Sequence, residues 1–109
     1  MSGPPIGELR RRAVLERLER TPDGGGGVTE SWVEEAELWA AIRPLGGDER
    51  VVGDRIAGRL SHEITIRYRT GVTPAMRFRS GNRSFMIESV FDDGERHAWL
   101  KCLCLEDDL

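Results

Sequence analysis

The sequence predicts a mainly β protein, a small antiparallel barrel or sandwich of about six strands with one short helical or flexible insertion. Three observations predict it. Polar and apolar residues alternate at period two in "SHEITIRYR" and "MRFR", the signature of half-buried strands. Turn-forming clusters such as "SGNR" and "DDGE" separate the alternating segments at short intervals. A chain of 109 residues suits one domain with one modest core.

In chain order, residues 1–8 read as a loose lead-in, because Pro4 and Pro5 cannot donate to a ladder. The domain proper is expected at 9–105, followed by an acidic tail at 106–109. Leu9 to Arg20 is ambiguous: Leu9, Val14, Leu15 and Leu18 suit a short helix, while Val14 and Leu18 among polar neighbours also suit a strand. "TPDGGGG" is a loop, since Pro22 and Asp23 favour a turn and four glycines have no conformational preference to hold a strand. "VTESWVEEAELWAAIRPL" is the longest extended candidate. Val28, Trp32, Ala36, Leu38, Ala40 and Ile42 share one parity, and Trp39 interrupts an otherwise polar opposite face. A helix competes for its alanine- and glutamate-rich middle. One long strand, or two with a bulge near Glu34 or Glu35, fits better because Pro44 and Gly46 end the segment sharply.

"LGGDERVVGDRIAGRL" then stands between two strand-like stretches. Val52, Ile56 and Leu60 form a narrow helical stripe, Asp48 and Glu49 lie near its start, and Arg55 and Arg59 near its end. Arg50 and Asp54 can pair at i, i+4. Gly53 and Gly58 together cost such a helix about 2 kcal/mol relative to alanine. The segment is coded weakly for helix, so its order should depend on what it touches. Beyond it, "SHEITIRYR", "MRFR", "SFMIESVF" and "RHAWLKCLCL" read as strands, with "TGVTPA" a connection and "SGNR" a tight hairpin.

The formal net charge of −3 argues against a dedicated nucleic-acid binder. No apolar run approaches the roughly 20 residues of a membrane helix, and "MSGPPIGELRRR" lacks a secretory apolar segment, so an intracellular origin is expected. Cys102 and Cys104 project to one strand face about 7 Å apart, which suits two buried small hydrophobes better than a disulfide. His97 has the opposite parity, so these three are not expected to bind a metal. His62 reads as a core or rim histidine. The glycines at 24–27 lack the lysine and hydroxyl residue of a phosphate loop, and no nucleophile or metal motif points to an enzyme or a cofactor.

One charge pattern remains. Arg67 and Arg69 share a strand face, as do Arg77 and Arg79; if their strands pair, four guanidiniums gather on one surface with Arg83 close by. Such a face is either solvated or a docking surface for something acidic, a DNA backbone or a carboxylate-rich partner. The chain's own Glu106, Asp107 and Asp108 could meet that face on a neighbouring subunit, a head-to-tail contact of the kind that closes rings. A small nucleic-acid-binding barrel using these arginines is the alternative, disfavoured by the acidic balance of the chain.

The order "IGELRRR", "TPDGGGGVTESW", "LWAAIRPLGGDE", "HEITIRYRTGVTPAMRF", "GNRSFMIESV" and "LKCLCLE" resembles the head–tail joining, or head closure, proteins of tailed phages, prophages and gene transfer agents. The resemblance runs from about Ile6 to Glu106 and is strongest at Trp39 to Leu45 and Ile64 to Tyr68. It implies a small β-barrel made in the bacterial cytoplasm that self-associates into a ring at the portal vertex, with no membrane role. The implied partners are the portal–adaptor ring, tail-terminator-type proteins, and double-stranded DNA passing through the lumen without sequence recognition. It also implies that the segment 46–60, with Asp48, Glu49, Arg50, Val52, Asp54, Arg55, Ile56 and Arg59, faces the channel or a neighbouring subunit.

Overall fold

The computed structural model describes residues 9–45 and 61–107, so the lead-in and the 46–60 segment lie outside the described residues. The described chain forms six strands: β1 (Arg11–Pro22), β2 (Val28–Pro44), β3 (His62–Arg67), β4 (Arg77–Ser80), β5 (Arg83–Asp92) and β6 (Trp99–Asp107). They close into an antiparallel barrel in the order β1-β2-β3-β6-β5-β4. The expected mainly β, six-stranded fold is borne out, and β6 extends two residues past the expected domain boundary. No helix among the described residues is long and apolar enough to cross a membrane.

The ambiguous first segment is a strand because β2 offers it a full antiparallel partner, from Arg11↔Ala40 to Pro22↔Val28. The register slips between Leu15↔Ala36 and Glu16↔Glu34, which makes Glu35 the extra residue of a bulge at the expected place. The bulge also divides what parity alone had united. Ala36, Leu38, Ala40 and Ile42 turn to the barrel interior, whereas Trp32, paired with Leu18, shares the outer face with Glu16. A second bulge, at Glu88, lets Phe85, Ile87 and then Val90 all reach the core from β5.

Ala13, Leu15, Ile64, Ile66, Phe78, Phe85, Ile87, Leu100, Cys102 and Cys104 fill the barrel. Leu15 pairs with Phe78 and Phe78 with Phe85 across three neighbouring strands, each of them fully buried. Each of these side chains contributes about 1.5–3 kcal/mol by leaving water. Ser80 pairs with Arg83 across Gly81-Asn82, and Gly81 has φ 63°, the glycine-first form of a two-residue hairpin turn.

Beyond Glu16 the β1–β2 hairpin leaves the barrel. Among the described residues, β1 meets β4 only from Val14 to Glu16, and β2 meets β3 only from Ala41 to Pro44. The pairs from Arg17↔Val33 to Pro22↔Val28 therefore form a two-stranded arm roughly 20 Å long. Its glycine-rich tip is more ordered than a plain flexible loop. Asp23 Oδ1 accepts the Gly25 and Gly27 N–H groups at 2.8 and 3.0 Å, and these bonds hold the carboxyl below its ordinary pKa.

Candidate interaction surfaces

The arm is pinned where it departs. Glu16, 6% exposed, accepts from Arg77 Nε at 2.7 Å and Arg79 Nε at 3.0 Å, and the Arg77 guanidinium lies 4.2 Å from the Trp32 ring centre. Register explains the convergence: Glu16 faces Arg77 and Val14 faces Arg79 across β1–β4, while Leu18 faces Trp32 across β1–β2. Burial alone would raise the Glu16 pKa, but the two guanidiniums outweigh it and hold the carboxyl below its usual value. Farther out, Arg17–Glu35 and Arg20–Glu30 pair on exposed faces, where each contributes at most about 1 kcal/mol.

On the other edge of β2 the barrel wall opens. Strands β2 and β3 part beyond Ala41↔Thr65 because β3 continues along β6 to Arg67↔Trp99. The resulting wedge is a cavity of about 280 Å³ lined by Leu9, Leu38, Trp39, Arg67, Tyr68 and Arg69. Trp39 is 50% exposed with the Arg12 guanidinium 4.8 Å from its ring, and Tyr68 stacks on His97 at 4.5 Å.

One mouth of the barrel carries a polar cluster. Arg83 donates to both Glu106 oxygens, at 2.8 and 3.2 Å, and packs over Phe85. His62 meets Phe85 edge-on, with Nδ1 at 2.9 Å from Ser61 Oγ, and Ser61 Oγ also accepts the Glu106 N–H at 2.7 Å. Burial pushes the His62 pKa down, as does Arg83, while Glu106 opposes them.

The four-arginine face does not form. Strands β3 and β4 are not neighbours, since β6 and β5 lie between them on one side and β2 and β1 on the other. Arg77 and Arg79 are tied to Glu16, while Arg67 lies over Trp99 and Arg69 donates to the Thr70 carbonyl at 3.3 Å. Glu106 is not a free tail residue but the partner of Arg83; Asp107 ends β6 opposite Ser84. Asp108 lies outside the described residues, as do Asp48, Glu49, Arg50, Val52, Asp54, Arg55, Ile56 and Arg59. Sequence reasoning passed over Glu16, Trp32 and the Arg83–Glu106 fork. Trp39, the residue that breaks the polar face, was the visible sign of the wedge.

Cys102 and Cys104 are fully buried, and burial pushes the Cys102 thiol up to about 12 and raises Cys104 as well. No group of three or more His, Cys, Asp or Glu among the described residues is placed to hold a metal ion.

These elements define a small closed antiparallel barrel with a projecting arm whose base is pinned by the Glu16 ion pairs. Residues 4–107 match the model of the phage head completion protein family, and the chain belongs to that family. The resemblance carried by the order of its motifs is thereby borne out. The chain is similar to a Shigella flexneri 2a protein solved in solution, with TM-score 0.78 and 26% identity over 93% of this chain and 95% of that one. It is also similar to a chain in the virion of a native gene transfer agent particle, with TM-score 0.67 and 29% identity over 92% of this chain and 94% of that one. A search of curated proteins gives no match.

Proposed function

We propose that this protein is a structural connector of the virion or gene-transfer-agent particle, joining the DNA-filled head to the tail at the portal vertex. One subunit contributes its barrel to a ring that closes the head and lets DNA pass during ejection. The observation that carries this reading is the match to a virion chain over 92% of the length, together with membership of the head completion family. The fold supports it, because a rigid barrel with a projecting arm offers separate surfaces for several neighbours. Portal–adaptor and tail-terminator-type rings are the proposed neighbours, and residues 46–60 the proposed lumen or inter-subunit segment.

The test is sizing and pull-down of the purified chain with capsid–portal particles from its own operon. Binding to DNA-filled, tailless particles is expected. Failure to bind them, with salt-sensitive binding to naked DNA instead, would overturn the reading. The alternative nucleic-acid barrel has lost its premise, since its four arginines do not share a face.

A further inference from the structure

We propose that the wedge between β2 and β3 is a docking site for an acidic peptide segment of a partner protein, one that carries a single aromatic or branched apolar side chain. The inference does not use the connector reading, so either can fail alone.

The wedge arises from the strand pairing itself. Beyond Ala41↔Thr65 the β2 edge is left without β3, and the apolar and aromatic lining of the space between them is Leu9, Leu38, Trp39 and Tyr68. Its volume of about 280 Å³ is just under the range of roughly 300–1,000 Å³ typical of small-molecule pockets, so it suits one large side chain. A half-exposed tryptophan beside such a cavity is the kind of anchor that dominates binding at protein interfaces.

The rim supplies the charge preference. Arg12, Arg17, Arg20, Arg43, Arg77, Arg79 and Arg83 each hold a carboxylate of this chain. Arg67 and Arg69 line the wedge and contact only an indole face and a main-chain carbonyl among the described residues. Two guanidiniums without a carboxylate among the described residues, beside an apolar slot, match a segment that brings its own carboxylates on either side of an apolar residue. A nucleic-acid strand fits less well. Its phosphates need a continuous track of cations, whereas Arg12, over the Trp39 ring, is already paired with Glu37 at 2.9 Å and the chain carries −3 overall.

The experiment follows the indole N–H of Trp39 in NMR spectra of the full chain, with acetyl-EDFED-amide as the probe. Three controls accompany it: the same peptide with glycine for phenylalanine, the lysine peptide acetyl-KKFKK-amide, and a short oligothymidylate. Saturable movement of Trp39, but not of Trp32, is expected with the acidic phenylalanine peptide and not with the lysine peptide or the oligothymidylate. The Arg67→Gln/Arg69→Gln double variant and the glycine peptide should each weaken binding about tenfold. Should the double variant fail to fold, Trp39→Ser tests the same slot through the Arg67 side-chain signals. Absence of saturation at millimolar peptide, equal binding of the lysine peptide, tighter binding of oligothymidylate, or unchanged affinity in the variants would each overturn the proposal.

Discussion

Replacing Glu16 by glutamine tests whether the base of the arm is held by charge. The wild-type carboxylate is 6% exposed and accepts two charge-assisted hydrogen bonds, at 2.7 and 3.0 Å. Such bonds contribute about 1.5–3 kcal/mol each when buried. The Arg79 side chain is 41% exposed, so water replaces most of its share; Arg77, at 18%, has less access to water. Glutamine keeps one neutral acceptor and sets an N–H group against the second guanidinium. The expected cost is therefore about 2–3 kcal/mol at neutral pH. For a domain of this size that lowers Tm by about 10 °C in calorimetry. The pH dependence follows from the depressed pKa of Glu16 in the folded chain, where the guanidiniums outweigh the raising effect of burial. The stabilisation is fully present above the unfolded pKa, about 4.3, and is lost as pH falls through the lower folded value. The Tm gap between wild type and Glu16→Gln should accordingly close on acidification below about pH 4. Equal Tm values at pH 7, or a gap that persists undiminished at pH 2, would refute the assignment of this ion cluster as the pin.

His62 should titrate below its ordinary value of 6.5 in NMR, because burial and Arg83 both disfavour the imidazolium. Its stabilising contribution is present above the unfolded pKa and fades as pH falls through the folded one. Arg83→Gln should move the midpoint up and Glu106→Gln should move it down; shifts in one common direction would contradict the cluster geometry. Cys102 and Cys104 should resist iodoacetamide at pH 8 in the native chain and react in denaturant, as read by mass spectrometry. Modification as fast in the native state as in denaturant would show that the barrel interior is open. Gly81→Ala should cost about 1 kcal/mol, since φ is 63° and an added Cβ meets nothing within 4 Å, leaving backbone strain as its one penalty. A thermal melt that places the variant at the wild-type Tm would dismiss the turn assignment.

Much of this fold was legible because strand parity is a local property. "SHEITIRYR" shows its buried Ile64 and Ile66 by alternation alone, and "SGNR" gives its hairpin through the glycine that its first turn position requires. The bulge at Glu35 was also foreseeable, since Glu34-Glu35 interrupts the pattern of its strand. The bulge at Glu88 was not. "SFMIESVF" reads as one clean strand, and only the register against β6 shows that Ile87 and Val90 reach the same core. Glu16 left no mark either: among alternating residues it looks like an outward acid, and its burial is produced by arginines sixty-odd positions away.

The arginine face failed for a reason that the connecting segment itself contains. Sequentially adjacent strands pair often enough that β3 and β4 looked like neighbours. A hairpin loop between them would have to be polar and exposed, yet "TGVTPAM" carries Val72 and Met76, both of which are buried. The segment is a crossing rather than a turn. Ala75 N–H donates to the Ile87 carbonyl at 3.2 Å and Ile87 N–H to the Met76 carbonyl at 3.0 Å, so the connection is fastened to β5 before β4 begins. Once the chain has crossed the barrel in this way, β4 can pair only with β5 and β1, and β6 returns to fill the place beside β3. The same closure separates Arg67 and Arg69 from Arg77 and Arg79. One pair is left beside an open seam, and the other is consumed in holding the arm.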